Sequence, residues 1–513
     1  MDQPSLPNEP PIQVAGNVAS HPRGGRSSVD VETHDVKAVN AKDYRELYKK
    51  REKIHPKRVK GRFRAFKWWI MLVTLGIYYI TPWLRWDRGP GAPDQAVLVD
   101  FPGRRFYFFF IEIWPQEIYY VAGLLIMAGV GLFLVTSLVG RAWCGYTCPQ
   151  TVWTDLFLVV ERFIEGDRSA RIRLDKAPMS ASKAAKRVSK YISWLVISLL
   201  TGGAWVFYFA DAPTLALDIL TLEARPVAYA TIGVLTFTTF TLGGFMREQV
   251  CTYMCPWPRI QGAMMDEESL TVTYREERGE PRGAYRKGES FENRGDCIDC
   301  KACVVSCPMG IDIRDGQQLE CITCSLCIDA CDDVMTRIGR PRGLIDYDSL
   351  ANAERRSKGE NANVRFFRPR TVVYLAIWTL IGLIMLYALL TRSDIDINVL
   401  HDRNPLFTVL SDGRIQNGYA FKILNKAREE RVFSISAEGL DGIRLNLIGS
   451  DFGDLAGHPV VSAHPDSLQS YRLLVSVPSD ALEDSAHDIV FTLTDAATGQ
   501  KANYESIFRG PEK

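Results

Sequence analysis

Two cysteine runs stand almost head to tail in the middle of this chain: Cys297-x-x-Cys300-x-x-Cys303-x-x-x-Cys307-Pro308, then Cys321-x-x-Cys324-x-x-Cys327-x-x-x-Cys331. Thiolates two residues apart on a tight loop wrap three corners of a cubane cluster, and the fourth thiolate must come from elsewhere. In a two-cluster arrangement it comes from the other run. Cys297, Cys300, Cys303 and Cys331 are therefore expected to hold one [4Fe-4S] cluster, and Cys321, Cys324, Cys327 and Cys307 the other. A pair of zinc knuckles is the plainer alternative, but eight cysteines in two triplet-plus-one runs with no nearby histidine suit zinc poorly. Electron carriage follows from the spacing alone.

The pattern is similar to that of two-cluster ferredoxins, in which a proline follows the fourth cysteine of each run. Pro308 keeps that feature, whereas the second run has Asp332 in its place, with all eight candidate ligands retained.

The other four cysteines form a second pair of motifs. At an offset of 107 residues, Cys144-Gly145-Tyr146-Thr147-Cys148-Pro149 repeats as Cys251-Thr252-Tyr253-Met254-Cys255-Pro256, each with an arginine just upstream, Arg141 and Arg247. Cysteines four apart share one face of a helical turn, with Cβ atoms about 5–6 Å apart. The proline disfavours helix at the second cysteine, so a bend that aims both sulfurs at one point is expected. Two such pairs brought together make a four-thiolate site. Soft thiolates suit Cu(I), with Met254 as a further soft ligand, and they also hold zinc or a further iron–sulfur cluster; a redox-active dithiol is the remaining option. All twelve cysteines are thereby used in compact motifs, which points to metal or redox work in a reducing compartment and leaves none for a structural disulfide.

These motifs are strung between apolar stretches. Spanning a bilayer takes about 20 residues, with a range of roughly 17–25. Five uncharged stretches meet that length: Trp68 to Leu84, Ile118 to Gly140, Tyr191 to Ala210, Val227 to Met246 and Thr371 to Thr391. Both Cys-x-Tyr-x-Cys-Pro motifs follow such a stretch, so helices one and two look like a hairpin repeated by helices three and four. A run of mostly polar residues precedes the first stretch and no small-residue cleavage site follows it, unlike a signal peptide. Basic residues decide orientation. Lys49 to Lys67 are rich in them, and so is the loop Arg168 to Lys190, whereas Asp211 to Pro226 carries only Arg225. The N-terminus and the cysteine runs are thus expected in the cytoplasm, and everything after residue 391 in the periplasm. Arg85, Arg88, Arg104 and Arg105 oppose the rule in the loop Arg85 to Glu117, where Phe106 to Phe110 and Trp114 read as an aromatic belt along the membrane surface.

The expected architecture is therefore multidomain. Residues 1–45, rich in Pro, Gly, Ser and charge, read as a disordered cytoplasmic tail in which His21 and His34 are solvated. Residues 46–246 form an α-helical membrane bundle of two repeated hairpins (helices 68–84, 118–140, 191–210 and 227–246). Residues 247–370 form an inserted ferredoxin-like domain, whose charged stretches Glu276 to Arg294 and Glu354 to Arg365 read as solvated faces or linkers. Helix 371–391 is the fifth crossing. Residues 392–513 show β-type alternation at Tyr419 to Leu424, Arg431 to Ile435, Tyr471 to Val477 and Asp488 to Leu493. Turn signals at Asp412-Gly413, Asn417-Gly418 and Asp441-Gly442 complete the pattern of an all-β immunoglobulin-like sandwich. His401, His458, His464 and His487 are scattered there without ligand spacing. The formal charge of +1 over 513 residues gives no reason to expect nucleic acid. No histidine lies between His55 and His401, which excludes bis-histidine haem from the membrane region.

The combination of repeated Cys-x-Tyr-x-Cys-Pro hairpins, two cluster runs, one more helix and a β-rich tail resembles the FixG/RdxA/CcoG family of cytochrome oxidase accessory proteins. The likeness runs over roughly residues 45 to 510 and includes Tyr48 to Ile54, Asp100-Phe101-Pro102 and Ile111 to Gln116. It implies a bacterial inner-membrane, multi-pass protein with cupric reductase activity, which serves assembly of a cbb3-type cytochrome c oxidase. Its implied surroundings are other assembly factors or a copper-transporting ATPase; the working scheme adds an unidentified cytoplasmic electron donor, and a homodimer is a separate expectation. Copper would meet Cys144, Cys148, Cys251 and Cys255. From a different class, a quinol-oxidising electron-transfer subunit shares the hairpins and the cluster runs, although the β-sandwich would be idle in it. A redox-sensing or scaffolding protein is the third reading.

Overall fold

The computed structural model describes residues 31–40, 52–89, 92–286, 289–448, 454–455 and 458–511. These fall into two compact units, one within residues 1–86 and 93–381, the other within 87–92 and 382–513.

In the first unit α1 (Arg62–Ile80) opens on a charged turn. Its first backbone N–H groups are satisfied from a distance in sequence: Phe63 and Arg64 donate to the carboxylate of Asp329 at 3.2 and 2.7 Å. Three short strands follow, β1 (Val97–Asp100), β2 (Arg105–Phe108) and β3 (Ile111–Ile113), paired in sequence order. The segment read as an interfacial aromatic belt is thus an antiparallel meander. Phe110 does stay exposed, but alternation buries Tyr107 and Ile113.

Helix α2 (Tyr119–Val139) ends at Gly140, whose φ of 58° stops the helix. The carbonyl of Ser137 in its last turn accepts from Ser269 Oγ at 2.7 Å and from Arg368 Nη2 at 2.6 Å, which ties the helix end to the polar layer beside it. Then come α3 (Ala142–Tyr146), α4 (Pro149–Glu165), α5 (Arg168–Lys176) and α6 (Ala181–Val206), the last capped by the Ser180 hydroxyl. A short α7 (Ala212–Thr221) leads to α8 (Pro226–Thr239), which widens into π-helical turns at Phe240–Met246 and Val250–Met254 before α9 (Trp257–Met264).

The cysteine runs lie between two strands, β4 (Thr271–Tyr274) and β5 (Ile345–Asp348), that pair antiparallel and close the module at its ends. Between them are α10 (Glu276–Gly279), α11 (Ala302–Ser306) and α12 (Leu326–Arg337); α13 (Leu350–Ser357) and α14 (Pro369–Leu390) follow. Residues 31–40, inside the stretch expected to be a disordered tail, run against this module. His34 N–H donates to the Cys300 carbonyl and Asn40 N–H to the Gly310 carbonyl, both at 3.1 Å. His34 is half-buried beside Lys57 and Glu32 rather than solvated. The rest of that stretch, with His21, lies outside the described residues.

Helices occupy all five stretches expected to cross a membrane. Among the described residues, three are long and apolar enough by composition: Pro115–Val139, Pro226–Met246 and Pro369–Leu390. Helices α1 and α6 start several residues before their apolar stretches, at Arg62 and Ala181, so charged turns are continuous with them. Five crossings are therefore not established, while the membrane character of the chain is.

The second unit is a sandwich. One sheet has β6 (Ile395–His401), β7 (Thr408–Val409), β8 (Ile415–Asn425), β10 (Arg444–Ile448) and β13 (Ser467–Val477). The other has β9 (Arg431–Glu438), β11 (Asp454–Leu455), β12 (His458–Ala463), β14 (Ala486–Asp495) and β15 (Lys501–Arg509). Alternate residues of β8 point inward and meet Phe433, Phe491 and Phe508 of the facing sheet, which makes the core. The His401 ring bonds Asn417 at 2.5 Å, an ordinary strand-to-strand contact.

Candidate iron–sulfur and membrane-face thiol site

The two cysteine runs adopt the same local backbone. Asp299 and Lys301 in the first run, and Thr323 and Ser325 at the matching places of the second, all have φ between 52° and 61°. For Thr323, branched at Cβ, that conformation is strained, and strain of this kind persists only where surrounding structure enforces it. Left-handed residues between the cysteines curl each loop so that backbone N–H groups face inward, the concave arrangement that receives anionic groups. Backbone N–H groups of Ala302, Thr323, Met309 and Ile311 bond to the sulfurs of Cys300, Cys321 and Cys307.

Helix placement brings in the fourth thiol. Pro308 ends α11 at Cys307, whereas Asp332 lets α12 run on to Arg337 and its carboxylate accepts the Gly343 N–H at 2.9 Å. Cys331, on α12, lies beside Cys297, Cys300 and Cys303; Cys307 lies beside Cys321 and Cys324, with Cys327 close to all three. Burial, aided by the neighbouring thiols, pushes Cys307 up to about 12 and Cys321 up to about 11. Such thiols ionise only against a compensating cation. Among the described residues no three His, Cys, Asp or Glu side chains group tightly enough to share one metal ion. A cubane spreads its four thiolates over separate corners, so thiol quartets lined by inward N–H groups fit it better than a single ion. The eight cysteines would hold the clusters, which supply one-electron transfer.

Arg314 brings a positive charge to the first quartet. Its guanidinium, buried, lies 4.0 Å from Cys297 Sγ and is held by Asp299 at 2.6 Å and Asp312 at 2.7 Å. Sequence reading passed over it, because a lone arginine seven residues past Cys307 carries no spacing signal.

The four remaining thiols lie in one neighbourhood, but the tight four-thiolate site expected from the sequence is not formed, since no three of them are close enough to share a metal ion. Cys144 is beside Cys148, Cys251 and Cys255, and burial followed by these neighbours pushes Cys144 and Cys251 up to about 12. Each motif closes with the same five-residue turn: Cys148 N–H donates to the Trp143 carbonyl at 2.9 Å and Cys255 N–H to the Val250 carbonyl at 2.8 Å. Proline then starts the next helix, as the fixed φ of that residue favours. Cys144 Sγ donates to Gln261 Oε1 at 3.0 Å. Behind the thiols lies a buried ion network absent from the sequence reading. Arg247 grips Glu161 through both terminal nitrogens at 3.1 and 2.6 Å, and Arg171 and Lys190 bond or approach the same carboxylate. Burial alone would raise Glu161; the cations, led by Arg247, outweigh it and hold the carboxyl down to about 2.

Comparison with known proteins matches the cysteine module and the sandwich, and it also places Cys144 and Cys148 inside a 4Fe-4S binding domain. Residues 246–350 match a family model described as a 4Fe-4S dicluster domain, residues 121–165 a 4Fe-4S binding domain, and residues 385–511 the IG-like fold at the C-terminus of FixG. The chain is 54% identical over 506 residues to nitrogen fixation protein FixG of Rhizobium meliloti, covering 93% of this chain and 96% of that one. It is 57% identical to protein RdxB of Cereibacter sphaeroides over 472 residues, covering 90% and 97%. Protein RdxA of the same organism is 54% identical over 470 residues, covering 90% and 98%. With identity of this extent, the chain belongs to the family of FixG, RdxA and RdxB, and its 4Fe-4S domains and apolar helices make it a membrane-associated iron–sulfur electron-transfer protein.

Proposed function

We propose that this protein reduces Cu(II) to Cu(I) for the assembly of a cbb3-type cytochrome c oxidase. The observation that carries the reading is that Cys144, with Cys251 packed near it, shares one cluster with Cys324, Cys307 and Cys321 of the cysteine module, while Cys148 and Cys255 are its electrostatic neighbours. Soft thiols suit Cu(I), and a one-electron carrier next to them matches a one-electron reduction. Each Cu(II) takes one electron, supplied in turn by a low-potential one-electron donor in the cytoplasm. In this scheme the cysteine module faces the cytoplasm of a bacterial inner-membrane protein and the β-sandwich faces the periplasm, where oxidase assembly factors or a copper-transporting ATPase would meet it. Serine at all four membrane-face cysteines, with about eight irons per chain retained at four per cubane, abolishes Cu(II) reduction followed with a Cu(I)-specific chelating dye. An unchanged rate would sink the assignment.

Quinol oxidation is supported by one feature, a narrow cleft, partly open to solvent, whose lining includes Lys67, Gln150, Asp155, Glu248, Cys251 and Met309. Its mixed apolar and hydrogen-bonding character suits a quinol head group. Protein in membranes is given quinol and then Cu(II), with the clusters followed by electron paramagnetic resonance (EPR). Reduction by quinol supports this second reading; oxidation by Cu(II) supports the first.

A further inference from the structure

The membrane-face thiols have one neighbour among the two quartets, and it is the second. Gly145, between Cys144 and Cys148, lies so near the second run that a Cβ there would sit 2.6 Å from the Ile322 carbonyl oxygen, 3.0 Å from that of Thr323 and 3.1 Å from Cys324 Cα. Cys144 shares a packed cluster with Ile322, Cys324 and Leu326, against which Cys307, Cys321 and Cys251 also lie. The first quartet belongs to a different cluster, built around Ile298, Ile328 and Met335.

Two more side chains of the first motif reach the same loop. Arg141, buried, donates to the carbonyls of Leu319 and, at 3.3 Å, Cys321, while its other terminal nitrogen donates to the Pro258 carbonyl at 2.6 Å. One guanidinium thus ties the first motif, the helix after the second motif and the second cysteine run. Tyr146, buried, lies beside Ser325 and Tyr347, and Tyr347 donates to the Thr323 carbonyl at 2.9 Å.

We propose that Arg141, Gly145 and Tyr146 are positioning residues that hold the quartet Cys321, Cys324, Cys327 and Cys307 against Cys144. The second quartet is then the one through which the membrane-face thiols exchange electrons, and the first is the distal one. Arg141 also brings positive charge to the second quartet, as Arg314 does to the first. Positive charge and hydrogen bonds near a cluster favour its reduced form. The expected rates of oxidation by Cu(II) rest on the proposed function, whereas the cluster potentials are independent of it.

The test uses the full chain in detergent, with iron content checked and both midpoints read by EPR-monitored titration. Arg314→Gln lowers one midpoint and so assigns the first quartet. Arg141→Gln lowers the other midpoint and leaves the first alone; Arg141→Lys, which keeps the charge and loses the fork, restores that midpoint. A shift of both midpoints, or of neither, in Arg141→Gln overturns the proposal. Gly145→Ala, which forces the loop away, slows oxidation of the dithionite-reduced protein by Cu(II) about tenfold or more, while oxidation by ferricyanide keeps its rate. Equal Cu(II) rates in Gly145→Ala and wild type overturn the positioning role. If Cu(II) fails to oxidise the wild-type protein, the copper reading falls and the Arg141 titration alone decides the inference.

Discussion

The two copies of Cys-x-Tyr-x-Cys-Pro share the turn that closes at the second cysteine and differ in nearly everything around it. Tyr146 is 5% exposed and docked on the second cysteine run, whereas Tyr253 is 66% exposed and its neighbour Met254 54%. Gly145 permits backbone contact with that run; Thr252 stands at the same place in the other copy and spends its hydroxyl on the Glu248 carbonyl at 2.9 Å. Arg141 stands three residues before its cysteine and reaches the run. Arg247 stands four before its own and turns instead into the Glu161 network. Duplication thus supplies two equal thiol pairs, and the neighbours make one copy a dock and leave the other facing outward.

The largest effect belongs to the outward copy's anchor. Glu161→Gln strips Arg247 and Arg171 of their shared carboxylate in a buried site, while Lys190 keeps Glu165 at 3.0 Å, and costs about 3–5 kcal/mol, read as a lowered thermal midpoint in detergent. Because the Glu161 carboxyl is held down to about 2 from an ordinary 4.5, its contribution is complete above pH 4.5 and fades as pH falls toward 2. The variant's acid-unfolding curve is therefore flatter than the wild type's over that window. A wild-type curve already flat there would contradict a stabilising role for the network.

Next comes the docked tyrosine. Tyr146→Ala opens a cavity against the cysteine run and costs about 3 kcal/mol. Gly145→Ala, an overpacking change against backbone, costs about 1–3 kcal/mol. Smallest is Tyr253→Ala, within about 0.5 kcal/mol as for most exposed positions. Equal melting points for Tyr146→Ala and Tyr253→Ala would contradict the asymmetry between the copies.

Much of this layout is legible without coordinates. The apolar stretches 118–140, 227–246 and 371–391 nearly coincide with the three long apolar helices, since burial in lipid demands an uninterrupted run. The strand expected at Tyr471 to Val477 lies within β13, because alternation is visible wherever one face is buried. Helix starts are less legible: Arg62 and Ala181 open α1 and α6 among charged residues that hydropathy ignores, and tertiary caps such as Asp329 decide where a helix begins. Residues 31–40 read as a tail because a few scattered contacts, backbone hydrogen bonds to the cysteine module and the buried Val31, leave no pattern in composition.

Cysteine spacing by itself determined that this protein is an iron–sulfur electron carrier and that a second, duplicated thiol motif accompanies the cluster runs. Spacing can do so because a cluster's corners and a helical turn impose fixed intervals on the chain that serves them. Which quartet abuts which thiol copy was decided only by the tertiary structure. That choice rests on Arg141, Gly145 and Tyr146 meeting Cys321, Ile322 and Ser325 across some 180 residues, and contacts of that range depend on packed shape and buried hydrogen bonds rather than on any local interval.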